Sequence, residues 1–418
     1  MLFICVFFAL FLSFYYGRIQ HAGVHYYVFL LFYSICHFSY FFSKEYLLSE
    51  TLIKIEVDIF AKSIITFIVI VITYLLLTFT DKKRSHLKNN SIDFSYKKSI
   101  CIIFFLLYCL GVILYIMKNG ISFGADYNSR ISKNAGGGLA IILMYSYVPC
   151  ILVLYSIFNS KSGLIVSFIF CIVFGLLYYI IIGGSRNLLG AGVFVLIYMA
   201  VIQKHISIKK VIVISGVGLV SLIGMEIYRY SNDISDVLDF FSSEGIKSLS
   251  FIFESFSPMF SVINISDAIK NNFIEPQGIK TFLNEFGILI PRFLWPDKPL
   301  NVFNNGYFYT SEVLKIDTNL TMSPTLLGSF IIMFGNNYYW ILGVVTGVIL
   351  YLFDDKLKYS RNNFTKMTIL SSIGYLFFWV RDGFEVYCYV IIKFWLAITL
   401  ARLIYSFFVF LTPKKFNL

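Results

Sequence analysis

The chain has 418 residues, of which 58% are hydrophobic and only 14% charged. A water-soluble protein of that length needs far more polar surface, so the composition excludes a soluble globular enzyme and places most of the chain in lipid. The net charge of +11 does not point to nucleic acid, because much of the lysine lies in short loops between apolar segments, where it sets membrane orientation.

In chain order, apolar segments near the roughly 20 residues that cross a bilayer fall at 1–16, 26–42, 60–80, 99–117, 139–158, 164–182, 188–203, 211–228, 338–353, 367–379 and 386–411. The first has no positive charge ahead of it; the first charge, Arg18, follows it. That pattern argues against a cleaved signal peptide and for a first helix whose N-terminus lies outside. Loop 81–98 carries Lys82, Lys83, Arg84, Lys88, Lys97 and Lys98, and 203–210 carries Lys204, Lys209 and Lys210. Segment 354–366 carries Lys356, Lys358, Arg361 and Lys366, and the tail carries Lys414 and Lys415. Positive charge marks the cytoplasmic side, and strict alternation from any one of these four places the other three there too. The expected fold is all-α: a polytopic membrane helix bundle of about eleven transmembrane helices with one long, partly helical outer loop. Its parts are an N-terminal bundle at 1–229, the loop or cap at 230–325, and C-terminal transmembrane helices at 326–418. The C-terminus is expected in the cytoplasm.

This topology puts 118–138, 183–187, 229–325 and 381–385 on the outer face. Five of the nine arginines then lie there: Arg130, Arg186, Arg229, Arg292 and Arg381. The positive-inside bias disfavours that placement, and a planar, permanently charged guanidinium is well suited to gripping phosphate. The pattern points to an anionic, lipid-linked substrate. The seven cysteines all lie in or beside apolar segments, so neither a disulfide framework nor a metal spacing is expected. No outer loop contains a histidine, which argues against a histidine base or a histidine-rich metal site on that face.

Six of the eight prolines lie in the long outer segment. There Ser257-Pro258 is a good cap and first turn for a helix to about residue 271. Its Met259, Phe260, Val262, Ile263, Ile265 and Ile269 make an apolar face for the membrane or the bundle. Further on, Pro291-Arg292-Phe293-Leu294-Trp295-Pro296-Asp297-Lys298-Pro299 is held extended and irregular by its prolines. Two readings fit it: a rigid segment holding phosphate with Arg292 and Lys298 and a sugar face on Trp295, or an interfacial loop whose cations touch lipid headgroups. Gly183-Gly184-Ser185-Arg186-Asn187 joins two helices, and Arg186 beside a helix N-terminus suits either an anion site or a snorkelling side chain. Gly120–Arg130 leads into the run Gly136-Gly137-Gly138. Tyr127, Asn128 and Arg130 there can hydrogen-bond a sugar or phosphate, or the stretch is an ordinary exposed turn. In Trp379-Val380-Arg381-Asp382-Gly383-Phe384-Glu385, Arg381 and Asp382 either pair with each other or act as a cation and a candidate base. Among the outer carboxylates Asp126, Asp233, Asp297, Glu312, Asp317, Asp382 and Glu385, none forms a diagnostic pair. Lys393 and Arg402 lie deeper in the last helix, where each charge costs roughly 2.5–3.5 kcal/mol. An internal partner is expected for Lys393 and snorkelling for Arg402.

The string Pro291–Pro299 resembles the Pro-Arg-x-x-Trp-Pro-x-Lys-Pro signature of bacterial oligosaccharide repeat-unit polymerases, the O-antigen polymerase family. Ser185-Arg186 resembles that family's Ser-Arg element, and Thr321–Gly328 with Phe334-Gly335 resembles its return to the membrane. Arg381 falls where such proteins often carry an arginine near the last helices. The resemblance implies an inner-membrane glycosyltransferase, with the N-terminus periplasmic, that joins repeat units on undecaprenyl pyrophosphate at the periplasmic face. The growing chain leaves its carrier for the sugar end of a new unit, with no metal or other cofactor. Under this reading Arg186, Arg292 and Arg381 bind the pyrophosphates and Asp382 activates the acceptor hydroxyl. Arg130, Lys298, Trp295, Tyr127 and Arg229 contribute to substrate binding. The implied partners are the lipid-linked oligosaccharide, membrane lipid and a chain-length regulator protein, with no nucleic acid. Two alternatives stay open: an O-antigen ligase, which is associated with an outer-loop histidine that this chain lacks, and a flippase of the lipid-linked unit, which calls for repeated halves and a polar central pathway.

Overall fold

The computed structural model describes residues 57–80, 98–120, 138–158, 160–182, 187–207, 210–211, 213–214, 216–218, 259–290, 294–299, 302–316, 321–360 and 362–411. The expected segments at 1–16 and 26–42, and most of 211–228, lie outside the described residues. Among the described residues all regular structure is helical and no strand occurs. Five stretches are long and apolar enough to cross a membrane: Ala61–Thr80, Lys98–Asn119, Gly138–Phe158, Lys161–Ile181 and Phe384–Phe410. Asn187–Ile202 is a shorter apolar helix.

The first half contributes α1 (Val57–Thr80), α2 (Lys98–Asn119), α3 (Gly138–Met144), α4 (Tyr147–Phe158), α5 (Lys161–Ile181) and α6 (Asn187–Ile202). On α2, Ile103, Leu107, Tyr108 and Gly111 are buried while Ile102, Leu106, Leu110 and Ile113 are exposed. Both faces are apolar, as a helix needs when one side meets protein and the other lipid. The expected single span at 139–158 is broken at Tyr145-Ser146 into α3 and α4. Pro149 is the reason: it has no N–H to give the Tyr145 carbonyl and its ring crowds that group. Ser146 turns inward at the break and donates to the carbonyls of Leu143 (2.6 Å) and Phe104 (2.9 Å). Buried tyrosine hydroxyls likewise find backbone acceptors, Tyr108 at Phe174 (2.6 Å) and Tyr387 at Ser372 (3.2 Å).

The second half contributes α7 (Met259–Lys270), α8 (Lys280–Phe286) with a 3-10 turn at Gly287–Leu289, and α9 (Asn305–Phe308), which runs on as a π-turn to Val313. Then come α10 (Thr325–Tyr338), α11 (Trp340–Tyr359), α12 (Asn363–Ile373), α13 (Leu376–Asp382) and α14 (Phe384–Leu411). The helix expected after Ser257-Pro258 is α7. Its apolar face goes to the bundle: Val262, Ile263 and Ile265 are buried, and the helix packs along α10 with further contact to α1. Lys62 of α1 reaches into that junction, donating to Ser266 (3.2 Å) and Asn336 (2.8 Å), which are bonded to each other as well.

α10 was not expected as a helix from the sequence. It breaks at Gly335 (φ +72°), and the freed carbonyls of Ile332 and Met333 accept from the N–H groups of Gln277 and Gly278, each at 2.8 Å. The chain after α7 therefore caps α10. α11 lies along α1 through Gly343 and Gly347, four residues apart. A Cβ on Gly347 would stand 2.8 Å from the Ile70 carbonyl oxygen, so only glycine permits this approach. The expected segment 367–379 is two helices, α12 and α13, divided at Gly374, whose missing side chain admits the Ala191 carbonyl of α6. α14, at 28 residues, is about 42 Å long at 1.5 Å per residue. It packs against α2, α3, α12 and α13, and also against α8 and α10.

Candidate active site

The start of α14 gathers the described polar residues of greatest interest. α13 ends at Arg381-Asp382, and Gly383 (φ +117°, ψ 170°) turns the chain into α14. That conformation belongs almost solely to glycine. Space demands glycine too: a Cβ there would lie 2.4 Å from Ser329 Oγ and 3.1 Å from Glu385 Oε1. Across the turn Trp379 and Tyr387 stack, with ring centroids 4.3 Å apart and planes within 5°. Arg381 suits the C-terminal end of α13, whereas Asp382 does not. Asp382 is held there by Ser323 Oγ, which donates to its Oδ1 at 2.8 Å, and by Arg381 Nη1 at 3.9 Å. Both side chains are partly exposed, Arg381 more than Asp382.

Behind this rim lie two buried carboxylates. Glu385, in the first turn of α14, is fully buried, and Glu285, in the last turn of α8, keeps 3% of its surface. Neighbouring asparagines hold one each. Asn305 Nδ2 donates to Glu385 Oε2 at 2.8 Å, and Asn304 Nδ2 donates to Glu285 Oε2 at 2.6 Å. Asn304 also caps α9: its Oδ1 accepts from the Tyr307 N–H at 2.8 Å. The cap fixes which end of the amide is oxygen and turns its N–H toward Glu285. Phe282 stacks on Phe384, with centroids 5.5 Å apart, and locks α8 to the head of α14. Four buried oxygens in this region, Glu385 Oε1, Ser329 Oγ, Asn305 Oδ1 and Thr281 Oγ1, have no hydrogen-bond partner among the described residues. Native interiors leave few such groups, and they concentrate where function needs them.

Lys393, two turns along α14, supplies the cation. Its Nζ donates to the Tyr145 hydroxyl at 2.9 Å and lies over the rings of Tyr145 (4.2 Å) and Tyr389 (4.1 Å). This is the internal partner expected for it, whereas Arg402 is exposed with its guanidinium 5.5 Å from the Phe364 ring. Burial pushes the Glu285 carboxyl above the usual carboxylate range; Asn304's hydrogen bond and the charge of Lys393 pull the other way.

Of the residues expected from the sequence to form the site, Arg381 and Asp382 stand together at the rim. Lys298 and Trp295 lie against the turn that follows α8. Lys298 Nζ donates to the carbonyls of Ile288 (2.8 Å) and Ile290 (3.0 Å), and Trp295 covers Gly287 and is partly exposed. Lys298 thus clamps the backbone directly behind Glu285. Arg130, Arg186, Arg229, Arg292 and Tyr127 lie outside the described residues. Sequence reasoning passed over Glu285, Asn304 and Asn305. The available signal was weak: an acid between Phe282 and Phe286 on one helical face, and an Asn-Asn pair at a helix start. Among the described residues no group of three histidine, cysteine or carboxylate side chains is placed to hold a metal ion.

A family model described as WzyE protein, O-antigen assembly polymerase, matches residues 1–413. The chain belongs to this family. No solved structure matches it.

Proposed function

We propose that this member of the O-antigen assembly polymerase family transfers a growing glycan from its undecaprenyl pyrophosphate carrier to a new lipid-linked repeat unit, at the outer face of the inner membrane. The observation that carries the reading is at the head of α14: a partly exposed arginine, Arg381, on the turn that leads to two buried carboxylates, Glu385 and Glu285. Glycosyl transfer from a pyrophosphate carrier needs cations where charge develops on the leaving group and a carboxylate where the acceptor hydroxyl loses its proton. Arg381 meets the first need. Arg186 and Arg292 are proposed to join it on the pyrophosphates, with Arg130, Arg229, Tyr127 and Trp295 lining the sugar and lipid path. Asp382 holds Arg381 in place and is the first carboxylate met from the rim. Lys298 acts by fixing the backbone at Ile288 and Ile290. A chain-length regulator would dock on the membrane-embedded surface or the cap.

A strain lacking this protein, complemented with wild type or Arg292→Lys, tests the reading on a gel of surface glycan. Wild type is expected to restore a ladder, and Arg292→Lys to leave single units on an intact acceptor, because lysine cannot make the two-pronged contact. Full-length chains stranded on the carrier would instead indicate a ligase. Single units held inside the cell would indicate a flippase.

A further inference from the structure

We infer that Glu285 is the group that takes the proton from the acceptor hydroxyl, with Asn304 aiming its carboxylate and Lys393 offsetting its charge. The assignment rests on the polymerase reading above and goes beyond it, since the acid apparent in the sequence beside the arginine is Asp382. A general base needs a free oxygen, a fixed orientation and a proton affinity raised toward neutral pH. Asp382 is instead engaged at the rim: Ser323 and Arg381 converge on its Oδ1, and it lies partly in solvent. Glu285 meets all three. Asn304, itself fixed as a helix cap, holds Oε2. No hydrogen bond reaches Oε1 from any described residue, and the residue keeps a small accessible surface that Glu385 lacks. Burial raises its proton affinity, with Lys393 and Asn304 opposing. The titratable groups that face it are Lys393, Glu385 and Tyr389, all from α14, and Asn304 at the start of α9 adds a hydrogen bond.

In the step itself, the bond between the anomeric carbon of the growing chain and the carrier phosphate oxygen breaks, and its electron pair leaves with the phosphate. The acceptor oxygen bonds to that carbon, and its proton passes to Glu285, which becomes a neutral carboxylic acid. Glu285 returns the proton to solvent before the next cycle.

The test uses the full-length protein in nanodiscs, supplied with lipid-linked single repeat units extracted from a strain that lacks it. Wild type, Glu285→Gln, Glu285→Asp and Asp382→Asn are compared by rate against substrate concentration and by pH. Glutamine keeps an oxygen for Asn304, so folding should survive, and unchanged thermal unfolding would confirm it. The expected result is a kcat for Glu285→Gln lower by about a hundredfold or more, the usual weight of a proton acceptor, with KM nearly unchanged. Glu285→Asp should recover part of the rate with a displaced acidic limb in the pH profile. Polymer formed at the wild-type rate by Glu285→Gln would overturn the assignment. So would a loss in Asp382→Asn alone, or a joint fall of kcat and thermal stability in Glu285→Gln that aspartate does not relieve. If wild type forms no polymer, the polymerase reading itself fails and takes this assignment with it.

Discussion

Two buried polar junctions of the helix bundle are built in opposite ways. At the α1–α7–α10 junction, Lys62, Ser266 and Asn336 bond to one another, and Asn336 Nδ2 adds a bond to the Ser266 carbonyl at 3.1 Å. At the head of α14 two carboxylates are buried with Lys393 two turns further on, and four buried oxygens there have no hydrogen-bond partner among the described residues. The first junction ties the loop helix to the bundle, and its polar groups are consumed in doing so. The second leaves hydrogen-bonding capacity and charge unspent, the condition in which a protein can act on something else.

Substitutions can break that comparison. The largest effect is expected for Gly383→Ala, where a Cβ would meet Ser329 Oγ and Glu385 in a backbone conformation nearly closed to other residues. It should cost about 3 kcal/mol or more and abolish polymer, read as a lowered unfolding temperature in detergent together with loss of the glycan ladder. Next, Lys62→Met should destabilise by about 1–3 kcal/mol yet leave the ladder, the reverse of the Glu285→Gln pattern. A loss of polymer at full stability in Lys62→Met would erase the distinction between the junctions.

The pH profile sharpens it further. The Glu285 carboxyl is raised above its unfolded value, so its contribution to stability is fully present below the unfolded value and is lost as pH rises through the folded one. Thermal unfolding of wild type should therefore weaken over that rise, and Glu285→Gln should flatten this part of the profile. The smallest effect belongs to Arg402→Leu. Its side chain is exposed and lies 5.5 Å from the Phe364 ring, so both stability and polymer should change little, within about 0.5 kcal/mol.

Hydropathy made the long helices readable, because lipid imposes the same apolar requirement on every turn: α2 and α5 lie within a few residues of the expected segments. The interruptions were readable only in part. Pro149 sits in plain view within an apolar run, yet whether proline kinks or ends a helix depends on what replaces the missing bond, here Ser146. α10 escaped notice because Asn336, Asn337 and Gly335 dilute its apolar run, and its end is capped from a distant segment. Arg381 and Asp382 were legible as a neighbouring pair. The chamber behind them was not, since Asn305 and Glu385 meet across 80 residues of sequence and no local pattern records that meeting. Lys393 was readable as a charge in need of a partner, but not that Tyr145 and Tyr389 would supply it.

The most direct test of the account is product analysis with purified protein in nanodiscs given only undecaprenyl-pyrophosphate-linked single units. The account predicts a ladder of lipid-linked chains, with one carrier pyrophosphate released for each new linkage and both products lost when Arg381 becomes alanine. Single units left unjoined by folded wild-type protein, or chains formed at an undiminished rate by the Arg381→Ala protein, would contradict it.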